Sequence, residues 1–236
     1  MQIARFPIDH TCPERDIWRQ MLPLDGKRIL ELGCGRAELT RAIAGEGQNR
    51  SVAALEVDER QHRINLTLSD LPNVQFARGG AEAIPYPDGS FDVVLMFKSL
   101  HHVPVAEMAA AMREIARVLT PDGLAYISEP IYAGAFNEIL RMFHDEEQVR
   151  RAAFAAVQQA VDSGLFALVE ERFFNTPMHF ADFAEFEQKV IGATHSDHRL
   201  TSELHAEVSA RFGAHVGPDG AHFAQPMRVD LLRKVR

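Results

Sequence analysis

Residues 29–44 read ILELGCGRAELTRAIA: an apolar run carrying the acid Glu31, then Gly33-Cys34-Gly35, then apolar positions at helical spacing. Glycines directly behind a strand permit positive φ and let the backbone approach a ligand lying over the strand ends. The helix that follows presents unpaired N–H groups and partial positive charge at its start. Glu56 lies at the end of the next apolar run, SVAALEV (51–57). A carboxylate at that place can accept both hydroxyls of an adenosine ribose.

The same alternation continues outward. RILEL (28–32), SVAALEV (51–57), NVQFA (73–77), FDVVLMF (91–97) and LAYISEP (124–130) read as five strands. Helical patterns lie between them: through about Ala44, from Glu59 to Ser69, and around Val105–Val118, where Met108, Met112, Ile115 and Leu119 share a face. TPDG (120–123) is turn chemistry. Continuous apolar strands alternating with helices predict a parallel sheet buried on both faces, α/β and doubly wound. Five such units are too few for an eightfold barrel. Beyond Pro130 the pattern predicts helices within 133–162 and over 180–192 and 198–213, with strands at 166–174 and 224–235.

The turn discriminates among ligands. A dinucleotide fingerprint wants a third glycine near the pyrophosphate, and Glu38 stands at that place. No Walker loop is present, and Glu31 would repel phosphate. S-adenosyl-L-methionine has no phosphate and carries a sulfonium and an ammonium group, which an acidic strand end suits. An NAD-dependent enzyme of the same topology is the weaker alternative.

ELGCGRAEL resembles motif I of the class I S-adenosylmethionine-dependent methyltransferases, and ALEVD is similar to their second motif. The stretches GGAEAIPYPDGSFDVVLMFKSLHHV (79–103) and REIARVLTPDGLAYISEP (113–130) resemble the small-molecule branch typified by ubiquinone and menaquinone biosynthesis. The resemblance covers residues 28–130. It implies a seven-stranded, mostly parallel sheet with an antiparallel last strand, a Rossmann-like methyltransferase fold. It further implies that Glu31, Gly33, Cys34 and Gly35 surround the methionine moiety, that Glu56 holds the ribose and that Val57 packs on the adenine. Gly80, Ala81 and Glu82 would border the adenine edge, and Phe97 and Lys98 the methionine side. Two positions depart from the family. Ala37 replaces the third glycine of motif I, and Gly79-Gly80-Ala81 stands where the family often has Gly-Asp-Ala, so Glu82 or backbone groups would have to meet the adenine amino group.

An acceptor oxygen or nitrogen that bears a proton also needs a base. His101-His102 follows the fourth strand, and His102 matches a histidine common in this branch, so both are candidate catalytic residues. His144-Asp145 and His195-Ser-Asp-His198 suggest a metal, but convergence of three or four ligands is not visible in the spacing, and no metal is expected. Phenylalanines crowd the later segment (136, 143, 154, 166, 173, 174, 180, 183, 186); most are expected in the core and a minority in an acceptor pocket.

Lys and Arg total 25 against 33 Asp and Glu, a net charge of −8, and FKSLH occupies the place of an (N/D)PPY motif, so nucleic acid is not the expected substrate. Hydrophobic residues make up 46% of the chain, the share of a globular protein. Two cysteines make no disulfide framework. No signal segment and no apolar run near ~18 residues is visible, so no membrane association and a cytoplasmic location are expected. The organisation expected is one domain: a lid segment over 1–27, a cofactor-binding core over 28–130, and helical cap insertions with the last two strands over 131–236. The function expected is methyl transfer to O, N or C of a small organic molecule. A non-catalytic cofactor-binding sensor or scaffold is the alternative of a different class. The acceptor and the oligomeric state have no code in these residues.

Overall fold

A computed structural model describes residues 1–192 and 200–235. The apolar runs form β1 (Arg28–Leu32), β2 (Ser51–Glu56), β3 (Val74–Arg78), β4 (Phe91–Phe97) and β5 (Leu119–Pro130), with β6 (Phe166–Phe180), the two-residue β7 (Val216–Gly217) and β8 (Gly220–Lys234) completing one sheet. The helices are α1 (Glu14–Met21), α2 (Glu38–Gly45), α3 (Glu59–Asn65), α4 (Met108–Val118), α5 (Ala135–Leu140), α6 (Glu147–Asp162), α7 (Phe183–Phe186) and α8 (Ser202–Gly213).

The sheet runs in the order β3-β2-β1-β4-β5-β8-β6, with β7 paired to β8. Strands β1 to β5 are parallel, and β8 enters antiparallel between β5 and β6. The doubly wound, mostly parallel architecture with an antiparallel last strand is the one expected. Its strand order reverses between β1 and β4, the place where open α/β sheets leave a crevice at their carboxyl ends.

Local chemistry explains where elements depart from the expected bounds. α3 stops at Asn65 rather than near Ser69, because Thr67 bonds back to the Ile64 carbonyl through both Oγ1 (2.7 Å) and N–H (3.0 Å), closing a tighter turn. At its other end Asp58 caps the helix, accepting from the N–H groups of Arg60 and Gln61. TPDG is absorbed into β5 as a bulge: Phe91 pairs Leu119 and Val93 pairs Leu124, with Asp122 at φ +61° between them. The helix expected over 180–192 is the short α7 followed by a π-helical turn, Glu187–Ile191. Residues 193–199, which include His195 and His198, lie outside the described residues.

Two apolar layers sandwich the sheet. α4 and α6 bury Met112, Ile115, Ala153 and Val157 on one face, and α1 and α2 bury Ile17, Trp18 and Ile43 on the other. α6 thus packs in the same layer as α4. α5, α7 and α8 gather around a separate cluster in which Phe136, Phe180, Phe186, Phe212 and Phe223 interlock, with ring centroids 5.0 to 6.3 Å apart. Edge-to-face geometry dominates there, the arrangement aromatic quadrupoles favour.

The N-terminal segment runs alongside β6. Thr11 bridges Asn175, Cys12 N donates to Asn175 O at 3.0 Å, and Asn175 Nδ2 donates to Ile8 O at 2.9 Å. Its backbone thus satisfies the N–H and C=O of Asn175 on the open edge of β6. No helix among the described residues is long and apolar enough to cross a membrane.

Phe212, fully buried among four other rings, should be costly to truncate. Phe212→Ala is expected to lower the unfolding free energy by about 3–5 kcal/mol in urea titration, whereas Phe6→Ala, at a site 59% exposed, should change it by less than about 0.5 kcal/mol.

Candidate functional site

A cleft of about 820 Å³ opens at the carboxyl ends of β1, β2 and β4. Its floor is the Gly33–Gly35 turn. The N–H groups of Gly33 and Cys34 both donate to Leu55 O at 2.9 Å, which hangs the turn from the end of β2. Gly33 has φ +74°, and a Cβ there would come within 2.7 Å of the Ser99 Cβ. Gly35 has φ +51°, but a Cβ on it would meet nothing within 4 Å. Ala37, in place of the family's third glycine, keeps the left-handed conformation (φ 60°, ψ 26°) at the N-cap of α2, and its methyl is buried. An alanine can hold this conformation at a cost of about 1–2 kcal/mol.

Glu56 is fixed by two backbone groups: Gly35 N–H donates to Oε2 at 2.8 Å and Asp58 N–H to Oε1 at 2.9 Å. Each oxygen retains a lone pair for a further donor. Glu31, 2% exposed, accepts from Thr40 Oγ1 at 2.6 Å. Burial pushes its pKa up to about 7, Glu56 adds to the rise and the Thr40 hydroxyl opposes it. A cation entering beside it would therefore find a carboxyl ready to ionise in response. Burial also raises the pKa of Cys34 strongly, with the Glu31 and Glu56 carboxylates contributing, so this thiol stays protonated and is no nucleophile.

Gly33, Cys34, Gly35, Glu31, Glu56, Val57, Gly80, Ala81, Glu82, Phe97 and Lys98 all line the cleft. Val57 is 60% exposed and presents an apolar surface where a flat base could lie. The Glu82 carboxylate folds back into the space that a Cβ on Gly80 would take. The acid missing from position 80 is thus replaced in space by one supplied two residues on. Lys98 holds a left-handed backbone (φ +54°) with its N–H on Ser128 O at 2.7 Å, a strained conformation of the kind that gathers at functional sites.

The two histidines part company. His102 lines the cleft. His101, expected beside it as a catalytic candidate, does not: its ring is buried and turned onto Glu129, held there by the 3₁₀ turn over Leu100–His102. Burial opposes a charge on the His101 imidazole, but Glu129, with Glu146 behind it, outweighs that and raises the pKa. No residue of 1–27 lines the cleft; the segment expected as a lid runs beside Asn175 of β6, with α1 packed against the sheet. None of the nine later phenylalanines lines it either: Phe136, Phe143, Phe166, Phe174, Phe180, Phe183 and Phe186 pack into the apolar clusters, and Phe154 lies under the Arg228 guanidinium.

Several residues that matter to the site carried no usable signal in the sequence. Asn65, 1% exposed on α3, donates from Nδ2 to Gly35 O at 2.8 Å and pins the turn from behind. Ser99 donates to Leu32 O at 2.8 Å and packs against Gly33. Gln61 and Lys189 also line the cleft, Lys189 from the π-helical turn. Asp58, two residues after Glu56 in ALEVD, and Ser99, in FKSLH, lie inside stretches that the motifs cover.

Comparison with known proteins places this geometry. Residues 29–123 match the family described as a methyltransferase domain. The chain is 26% identical over 188 residues to an uncharacterized methyltransferase, YcgJ, of Bacillus subtilis (strain 168), covering 72% of this chain and 71% of that one. It is 31% identical over 124 residues to the demethylmenaquinone methyltransferase of Geobacillus stearothermophilus, 51% of this chain and 52% of that one; it thus spans about half the length of that relative. The crystal structure of YcgJ superposes with a TM-score of 0.66 at 17% identity over 94% of this chain and 97% of that one. A methyltransferase described as SAM-dependent, from Methanosarcina mazei, gives 0.59 at 16% identity, covering 95% and 99%. The resemblance read from the motifs is borne out, and the fold is the Rossmann-like methyltransferase fold.

Two outcomes follow from the turn and its acid. Gly33→Ala combines a left-handed backbone with a collision and should destabilise the chain by about 2 kcal/mol or more, while Gly35→Ala should cost about 1 kcal/mol, both read from urea unfolding. Glu31 holds a proton in the folded chain that the unfolded chain has released between its ordinary value of 4.5 and about 7. Stability from this group is therefore full below that window and is lost as pH rises through it, by up to about 3 kcal/mol. Glu31→Gln should flatten the slope of unfolding free energy against pH across the window.

Proposed function

With residues 29–123 a methyltransferase domain, we propose that this chain binds S-adenosyl-L-methionine in the cleft and transfers its methyl group to O, N or C of a small organic acceptor, in the cytoplasm. The observation that carries the reading is the pairing of the Gly33–Gly35 turn with two carboxylates, Glu31 and Glu56, at adjoining strand ends. Glu38, the first residue of α2, also lines the cleft. A pyrophosphate at that helix start would face this acid with Glu31 behind it, whereas a sulfonium and an ammonium are attracted to them. The same set of charges argues against a nicotinamide dinucleotide.

In this reading Glu56, already oriented by two N–H groups, receives the ribose hydroxyls with its remaining lone pairs. Val57 covers one face of the adenine, and Glu82 accepts from the adenine amino group. Glu31 and the turn surround the methionine portion, with Phe97 and Lys98 on its other side. The bound sulfonium supplies an already activated methyl group. The protein's task is then alignment, holding an acceptor lone pair about 3–3.5 Å from the methyl carbon and in line with the breaking bond, and exclusion of water. For an acceptor that bears a proton, His102 is the imidazole facing the cleft and takes that proton.

Calorimetry with S-adenosylhomocysteine should show saturable binding, and an acceptor panel should yield S-adenosylhomocysteine from S-adenosylmethionine. Absence of heat with either nucleoside, alongside saturation by NAD, would overturn the proposal; binding with no product from any acceptor would point instead to a sensor or scaffold. For a hydroxyl or amine acceptor, His102→Ala should lower kcat by about a hundredfold and leave S-adenosylhomocysteine affinity unchanged.

A further inference from the structure

Behind His102 at the rim of the cleft lies a group of buried side chains that methyl transfer leaves without a task. His101 turns its Nδ1 onto Glu129 Oε2, and Glu129 Oε1 accepts the Leu100 N–H at 2.9 Å. The other ring nitrogen, Nε2, faces Glu146 Oε1 at 3.6 Å, too far for a hydrogen bond. The second Glu146 oxygen is held by Arg150, from Nη2 at 2.6 Å and Nε at 3.1 Å, and Arg150 is itself fixed by Asn137 Oδ1 at 3.0 Å. His144 Nε2 donates to Glu146 Oε1 at 2.9 Å. The His102 ring lies 4.1 Å from that of His101 and borders the cleft. One ligand atom from each of His101, His102 and Glu146 lies within 4.8 Å of the other two.

We propose that His101, His102 and Glu146 bind a divalent transition-metal cation at this end of the cleft. Two imidazoles and one carboxylate are the donor set suited to zinc, iron, cobalt or manganese rather than to magnesium or calcium. The surroundings are those of a prepared site. A ligating histidine characteristically gives its other ring N–H to a carboxylate, which fixes the tautomer and strengthens the ligand, and Glu129 does this for His101. Arg150 does the equivalent for Glu146, holding one oxygen so that the other points at His101. The 3.6 Å separation of Nε2 and Oε1, long for a hydrogen bond, suits two ligands of one ion, since bonds of about 2.0–2.1 Å at a tetrahedral angle put ligand atoms about 3.4 Å apart. His102, with a ring nitrogen within 4.8 Å of the other two ligand atoms, completes the set.

The charge balance points the same way. With neutral imidazoles, the buried carboxylates Glu129 and Glu146 (3% and 7% exposed) face Arg150, with Arg228 also acting on Glu129, and an ion on His101 Nε2 supplies positive charge between the two acids. Three protein ligands leave at least one position open, as in catalytic rather than structural sites. Because His102 borders the cleft, that position is available to water or to an oxygen of the acceptor; with an ion bound, His102 serves as its ligand. The expectation of no metal rested on neighbours in sequence, whereas these ligands come from the turn after β4 and the start of α6.

The test uses the full chain, stripped of metal by a chelator and without cofactor or acceptor, so that its failure leaves the methyl-transfer reading standing. Zinc titrated by calorimetry should bind at one equivalent per chain, and cobalt should give the visible absorption of a four- or five-coordinate site. Glu146→Gln and His102→Ala should each weaken binding by about tenfold or more, while His222→Ala, a distant exposed histidine, should not change it. His102 is exposed, so its variant is expected to fold even if Glu146→Gln does not. Absence of stoichiometric binding, or binding that His102→Ala leaves unchanged, would overturn the proposal and leave His101 as an imidazolium between two carboxylates.

Discussion

The turn at Gly33–Gly35 hangs from a single backbone acceptor, the carbonyl of Leu55 at the end of β2, and everything else in the site is placed relative to it. Two N–H groups converge on that oxygen, and a third, from Gly35, reaches the Glu56 carboxylate one residue further on. The arrangement ties the end of β1 to the end of β2 through hydrogen bonds no side-chain substitution can replace. It works only if residue 33 adopts a left-handed backbone and carries no Cβ, because Ser99 on the neighbouring strand's extension occupies that space. Asn65 then holds the turn from α3, so helix, two strands and loop are fixed together.

Such a turn leaves acids concentrated at the strand ends. Glu31 and Glu56 are both nearly out of contact with water, and the first responds by holding its proton to about neutral pH. A site built this way keeps electrostatic attraction in reserve for a cation: the arrival of positive charge ionises the buried carboxyl, in a medium where the resulting pair interacts far more strongly than it would in water. The cleft is also lined by the basic side chains Lys98, His102 and Lys189.

Behind that rim the chain invests unusual polarity in its interior. His101, Glu129, Glu146, Arg150 and Asn137 form a connected set, and Arg228 with Asp230 lies in the same region, its guanidinium 4.4 Å from the Phe154 ring. Buried ionic groups are a poor route to stability. Their common effect is to orient the buried His101 imidazole, whose ring lies 4.1 Å from that of the cleft-lining His102.

The sequence alone determined the sheet, its winding and the floor of the cleft. These depend on local rules: apolar runs with no polar alternation, helical spacing between them, glycines where the backbone must turn left, and an acid closing a strand. Where local chemistry competed, as at Thr67 or the Asp122 bulge, the bounds moved by a few residues while the elements stood. Tertiary structure decided the rest. His101 and His102 are neighbours in sequence, yet a 3₁₀ turn sends one into the interior and the other to the cleft. The N-terminal segment pairs with Asn175 at the edge of β6, and most of the later phenylalanines pack into apolar clusters where α5, α7 and α8 bury their faces. Glu82 filling the place of an acid at position 80, Asn65 behind the turn and Glu146 opposite His101 are contacts between residues far apart along the chain or folded back on it. Hydrophobic periodicity carries no information about such contacts, since it records which face of an element is buried and not what it is buried against.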